Sequence, residues 1–340
     1  MTPNPLTFPF PSSPYLTLHP TLQTGRSLFA QTSIPANTLI HTSSSPYTST
    51  IYKEFRKEIC AWCFAYDGTT RKGWKITGGG GGERFCSEEC KGSCVREGQK
   101  ANGIRERVQG ALDDAIRRLQ KLKLKHQQQP LVFHDMTPLT LETKSFDTTW
   151  QKAESQDVVN DNDTDAPLDG LELDMARFVG SALAQHHIHI YTSQSSHSHS
   201  HPSDPILFLQ SNELGNITER PYILPTHLRI YSFLRSALSN VPEMKTYFGG
   251  GENGAYNWVR ALLNRDIGNS FGIWEQVDAG EKDIFGWGIW LDASFFNHST
   301  HPVPTHPIAS DTLGRLHTQR NQTPYRSYIS FRNDAGYRTR

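Results

Sequence analysis

Residues 293–299 read Ala-Ser-Phe-Phe-Asn-His-Ser. They close a stretch, residues 269–298, in which short apolar runs alternate with glycine: Asn-Ser-Phe-Gly-Ile-Trp from Asn269 and Phe-Gly-Trp-Gly-Ile-Trp from Phe285. Runs this short, punctuated by glycine, suit small strands and turns rather than a long helix. Just upstream the pattern changes to helical spacing, in residues 254–265 (GAYNWVRALLNR) and 227–240 (HLRIYSFLRSALSN). Further back, residues 171–184 also look helical. Ile104, Val108, Leu112, Ile116 and Leu119 mark an amphipathic helix over 104–122. Two polar stretches interrupt these helices. Residues 123–166, with a QQQ tract and DVVNDNDTD, and residues 186–204, rich in His and Ser, are both expected to be loops. The alternating histidines at 197–201 are low-complexity sequence, and no spacing there fixes a metal geometry.

At the other end of the chain, Leu28-Phe29 and Leu39-Ile40 flank the turn-prone Pro35-Ala36-Asn37. Two short strands joined by a turn are expected over 25–40. The residues before them are rich in Pro, Ser and Thr, with 1–14 an extended lead-in. Residues 301–340 show no clear periodicity and are expected to be an irregular tail.

All five cysteines fall between Cys60 and Cys94. Clustered thiols of this kind suit a metal site in a reducing compartment, not the scattered bridges of a secreted protein. Cys60-x2-Cys63 supplies two thiolates from one tight turn. Cys86-x3-Cys90 supplies two more at a helix start, where Ser87 is an N-cap with glutamates behind it. Four thiolates can hold one tetrahedral zinc. Cys94 lies one turn beyond, either a free cysteine or an alternative ligand.

Lys+Arg and Asp+Glu each number 34, so the formal charge is zero. With no global basic excess, direct nucleic-acid binding is disfavoured, although Lys53, Arg56, Lys57, Arg71 and Lys72 are basic near the cysteines. No apolar run reaches membrane-spanning length, and the N-terminus lacks a basic-then-apolar leader pattern. The expected location is cytoplasm or nucleus.

Cys60-Ala-Trp-Cys63 with Phe85-Cys86-Ser-Glu-Glu-Cys90 resembles half of a MYND zinc finger, the half that holds one of its two zincs. A glycine-rich linker, Gly78–Gly82, stands where the other ion's first ligands would be. The finger is either a protein-interaction module or a structural staple. Three further segments resemble the SET domain of protein lysine methyltransferases, in the fungal-like branch that a MYND finger interrupts. They are Gly25-Arg26-Ser27-Leu28-Phe29-Ala30, Asn269-Ser270-Phe271-Gly272-Ile273 and the run from Ala293 to Ser299.

The resemblance implies methyl transfer from S-adenosylmethionine to a lysine of a histone or another protein. It assigns cofactor contacts to Gly25, Arg26, Ser27, Leu28, Asn297 and His298. A substrate channel falls to Asn269, Ser270, Phe271 and Phe295, with Trp274 and Phe296 as further aromatic candidates; core packing is the alternative for each aromatic. Ser27 replaces the family's second glycine, and Thr300 replaces a cysteine. The family's G-E-E-L segment is missing, and Tyr328 is the nearest match to its tyrosine, so an incomplete C-terminal SET part is expected. A non-catalytic adaptor on the same scaffold is the alternative function. The expected architecture is α+β: a split SET domain over 15–300 built from small β-sheets, with the finger at 55–100 and a helical insertion at 104–265.

Overall fold

The computed structural model describes residues 14–21, 25–35, 38–43, 45–68, 73–78, 82–125, 143–155, 168–194, 204–249, 256–275, 283–296 and 329–333. Both ends of the chain supply its strands. β1 (Leu16–Thr21) and β2 (Gly25–Ala30) pair antiparallel, with Leu18 opposite Leu28. β3 (Thr38–Ser43) and β4 (Thr48–Ile51) follow, and then the two-residue strands β5 (Ile76–Thr77) and β6 (Arg84–Phe85), which pair with each other. The far end contributes β7 (Phe271–Trp274), β8 (Ile284–Ile289) and β9 (Ile329–Asn333). β4, β8 and β7 form one antiparallel sheet in that order, and β3 pairs with β9.

The central sheet closes tightly because β8 is Ile-Phe-Gly-Trp-Gly-Ile. Gly286 lies opposite Ile51, and a Cβ there would stand 2.1 Å from the Thr50 carbonyl oxygen. Glycine lets the two backbones approach.

Among the described residues the helices are α1 (Glu88–Gly98), α2 (Lys100–Lys125), α3 (Thr143–Ser155), α4 (Gly170–Gln194), α5 (Glu213–Glu219), α6 (Ile223–Ala237) and α7 (Trp258–Asp266). Within the first turn of α2 the backbone kinks at Ala101, Asn102 and Gly103, all at positive φ, after which the amphipathic repeat begins. Ile104, Val108, Leu112 and Ile116 are buried, as their spacing requires. They join Phe178, Val179 and Leu183 of α4 and Ile230 and Leu234 of α6 in the main core. The sheet docks on that core through Thr48 Oγ1, which donates to the Phe178 carbonyl at 2.8 Å. A second, smaller cluster of Ile51, Ile59, Phe271, Ile273, Phe285, Trp290 and Ala293 lies within the strand layer. The architecture is α+β.

Four expectations change. The strands at 25–30 and 38–43 form but do not pair with each other, because β2 takes β1, the strand just before it, and β3 takes β9. The loop expected at 123–166 contains α3. Its Phe146 and Trp150, one turn apart, are both buried, and Trp150 Nε1 donates to Glu213 Oε1 at 2.9 Å. Two aromatics at i and i+4 outweigh the polar residues around them; residues 126–142 and 156–167 lie outside the described set. The loop expected from 186 begins instead as helix, since α4 runs on to Gln194. His186 is buried there with a partner, its Nδ1 lying 2.6 Å from Asp204 Oδ2, which also accepts from the Tyr47 hydroxyl at 2.9 Å. The HSHSH tract lies outside the described residues. Finally, the tail expected to be irregular contains β9. Its Ile-Ser-Phe-Arg-Asn alternates as a strand should, but a partner almost 300 residues upstream leaves no local signal.

Candidate functional site

The cysteine module folds around two tight turns. After Cys60, Phe64 adopts φ 58°, its N–H donates to the Cys60 carbonyl at 3.0 Å, and the Cys60 N–H donates to Ala65 at 2.9 Å. That turn presents Cys60 and Cys63 together. The β5–β6 pair delivers Cys86, and Ser87 caps α1 by accepting from the Cys90 N–H at 3.1 Å, as expected for an N-cap. The four sulfurs all lie within 4.8 Å of one another, with Cys63–Cys86 and Cys86–Cys90 both at 3.5 Å. A tetrahedral zinc with bonds of about 2.3 Å sets its sulfurs roughly 3.8 Å apart. The cluster therefore fits one such ion.

Its electrostatics point the same way. Hydrogen bonding from Cys63 pulls the Cys60 thiol down to about 5, while the Cys63 thiol is driven up by the same bond. Burial pushes Cys90 up to about 12. A buried thiol group without a cation tolerates one thiolate and resists the next; a divalent ion lets all four ionise. Cys94 stands outside the cluster, its thiol pushed up to about 12, chiefly by burial. Among the described residues no second group has metal-holding spacing. Trp62, Trp74 and Ile76 pack on Cys60, Phe85 and Cys90, and Trp74 Nε1 donates to the Ala65 carbonyl at 3.1 Å.

The module is joined to the body by Arg56. Its guanidinium forms an ion pair with Asp174 of α4 and donates through Nε to the Ile51 carbonyl at 3.0 Å.

The second site lies where the two ends of the chain meet. Ser294, in the 3-10 turn Ala293–Phe295, donates its hydroxyl to the Asn269 carbonyl at 2.8 Å. Two of the three separated segments are thus in contact, and β2, the third, also touches this turn. Asn269 is buried, and its Nδ2 donates to the carbonyls of Gln210 at 2.9 Å and Arg265 at 2.8 Å. The Ser270 N–H donates to the Asp266 carbonyl at 3.1 Å. Burial raises the Asp266 carboxyl to about 6, against a smaller opposing pull from the neighbouring Ser270 and Trp287 side chains.

The aromatics divide between cores. Phe271 packs edge-on against Trp290 at 6.3 Å in the strand cluster, whereas Phe295 belongs to the helical core. Trp274 is 50% exposed at the end of β7. Phe296 lies 5.5 Å from the His41 ring.

Of the expected cofactor contacts, Gly25, Arg26, Ser27 and Leu28 lie on β2. Arg26 reaches away to the helical side, donating to the Phe208 carbonyl at 2.6 Å and stacking over its ring at 5.1 Å. Leu28 packs against the main core. Asn297, His298 and Tyr328 lie outside the described residues.

One polar cluster escaped the sequence reading. His41 Nε2 lies 2.9 Å from Asp292 Oδ2 and 3.0 Å from Ser43 Oγ, and Ser43 Oγ donates to Asp292 Oδ1 at 2.6 Å. Asp292 and His41 are 251 positions apart, and only the fold brings them together.

No family model matches the chain. Among curated proteins, a likeness that runs along most of the chain is found. The relative concerned is SET6 of Saccharomyces cerevisiae, described as a potential protein lysine methyltransferase. It is 24% identical over 319 residues, spanning 85% of this chain and 80% of the relative.

Proposed function

We propose that this protein is an S-adenosylmethionine-dependent protein lysine methyltransferase carrying a one-zinc, MYND-like finger. The likeness to SET6 along most of both chains carries the reading. It is supported by the contact between the Asn269 segment and the 293–295 turn, two stretches that resemble the SET domain independently.

S-adenosylmethionine supplies an electrophilic methyl group on a cationic sulfur. On this reading Gly25 and Ser27 of β2 form part of the cofactor cradle with Asn297 and His298. Asn269 and Ser270 belong to the wall between cradle and substrate lysine. Their backbone is held by Ser294 and Asp266, so their role is to keep that wall in place. Tyr328 is the candidate for orienting the amine. A channel that strips water from a lysine amine favours its neutral, nucleophilic form. Cys60, Cys63, Cys86 and Cys90 hold the zinc, and the finger takes part in positioning a protein substrate, of which histones are one candidate class. Reduced thiols suit the cytoplasm or nucleus.

Calorimetric titration of S-adenosylmethionine into the zinc-loaded protein tests the reading. Saturable binding that weakens with Asn297→Ala is expected. A folded protein that shows no binding at millimolar cofactor would overturn it and leave a non-catalytic adaptor.

A further inference from the structure

The turn before Asn297 is gripped at both ends by one side chain. On its entry side, Asp292 caps the turn, Oδ1 accepting from the Ala293 N–H at 3.1 Å. That carboxylate is itself held by His41 Nε2 at 2.9 Å and by the Ser43 hydroxyl at 2.6 Å. On its exit side, the His41 ring packs against Phe296 with a tilt of 34°. His41 and Ser43 are two residues apart on β3 and therefore share a face. Because the Ser43 hydroxyl donates to Asp292 and a carboxylate oxygen accepts, His41 Nε2 carries a proton, shared between Ser43 Oγ and Asp292 Oδ2.

Filling space does not require this chemistry. An aliphatic residue on β3 would pack on Phe296 equally well, and burying an imidazole and a hydroxyl beside a carboxylate costs free energy unless their bonds are all made. His41 is 8% exposed and Ser43 1%. What the polar cluster adds is direction. It fixes the turn's orientation relative to β3, while Ser294 fixes it relative to Asn269. The chain passes from Phe296 straight into Asn297 and His298.

We infer that His41, with Ser43 and Asp292, forms a positioning cluster that sets the 293–296 turn for cofactor binding. The inference rests on the methyltransferase reading. Its test compares S-adenosylmethionine binding by calorimetry for the zinc-loaded wild type, His41→Ala, His41→Gln and Asp292→Asn, with zinc content and melting temperature recorded for each.

His41→Ala is expected to weaken binding by about tenfold or more, equivalent to ~1.4 kcal/mol, with zinc content unchanged. His41→Gln, which keeps a side-chain N–H for Asp292, is expected to recover most of the loss, and Asp292→Asn to weaken binding as well. Wild-type binding that survives both His41→Ala and Asp292→Asn overturns the inference and leaves the reading intact. Equal losses in folded His41→Ala and His41→Gln also overturn it, because the hydrogen bond would then be irrelevant. Should His41→Ala fail to fold, Asp292→Asn decides alone. No binding by the wild type sinks the reading and this inference together.

Discussion

Asp266 shows how burial and titration combine at a single residue. Its side chain is buried one turn before Asn269, and Oδ1 has no hydrogen-bond partner. Folded, the carboxyl keeps its proton up to about 6, whereas an unfolded aspartate loses it near pH 4. Between those values the folded state binds more protons, so this group's contribution falls as pH rises from about 4 to about 6. Two units correspond to roughly 2–3 kcal/mol. Asp266→Asn is therefore expected to raise the urea midpoint at neutral pH and have little effect near pH 4. Equal midpoint shifts at the two pH values would contradict the assignment. Reading residues alone, the sequence exposed the four clustered cysteines, because ligand spacing is local. It hid His41 and Asp292, whose only link is a contact made on folding.

At the scale of elements, α3 and β8 offer the sharpest tests. α3 is anchored by Trp150, which packs edge-on against Tyr231 at 5.6 Å, lies under Arg260 and donates to Glu213. Trp150→Ala removes a fully buried ring and leaves a cavity, with an expected cost of about 3–5 kcal/mol in denaturant unfolding. A cost below about 1 kcal/mol would mean that α3 is not docked. On β8, Gly286→Ala places a methyl group against the Thr50 carbonyl and is expected to push β4 and β8 apart. A lowered melting temperature with faster amide exchange at Thr50 and Gly286 is the outcome to look for. Local pattern predicted α2, α6 and α7 because their apolar repeats are long. It missed α3 and the end of α4 from His186, where two buried side chains per stretch are diluted by polar neighbours.

Across the whole molecule, the cysteine module has its own small core, separate from the helical core. Arg56 and Asp174 tie the two together. Zinc chelation is expected to raise amide exchange through residues 57–95 while α4 and α6 stay protected. Simultaneous loss of protection in both regions would show that the finger is needed for the body to fold. No described helix is long and apolar enough to cross a membrane.

Sequence alone determined the α+β class, the four cysteines that cluster and the principal helices, because each depends chiefly on local pattern. Tertiary structure decided which strands pair. β3 takes β9, and β4 takes β8. Strand pairing carries no local code beyond alternation, so partners separated by over 200 residues are chosen by the core that their closure buries.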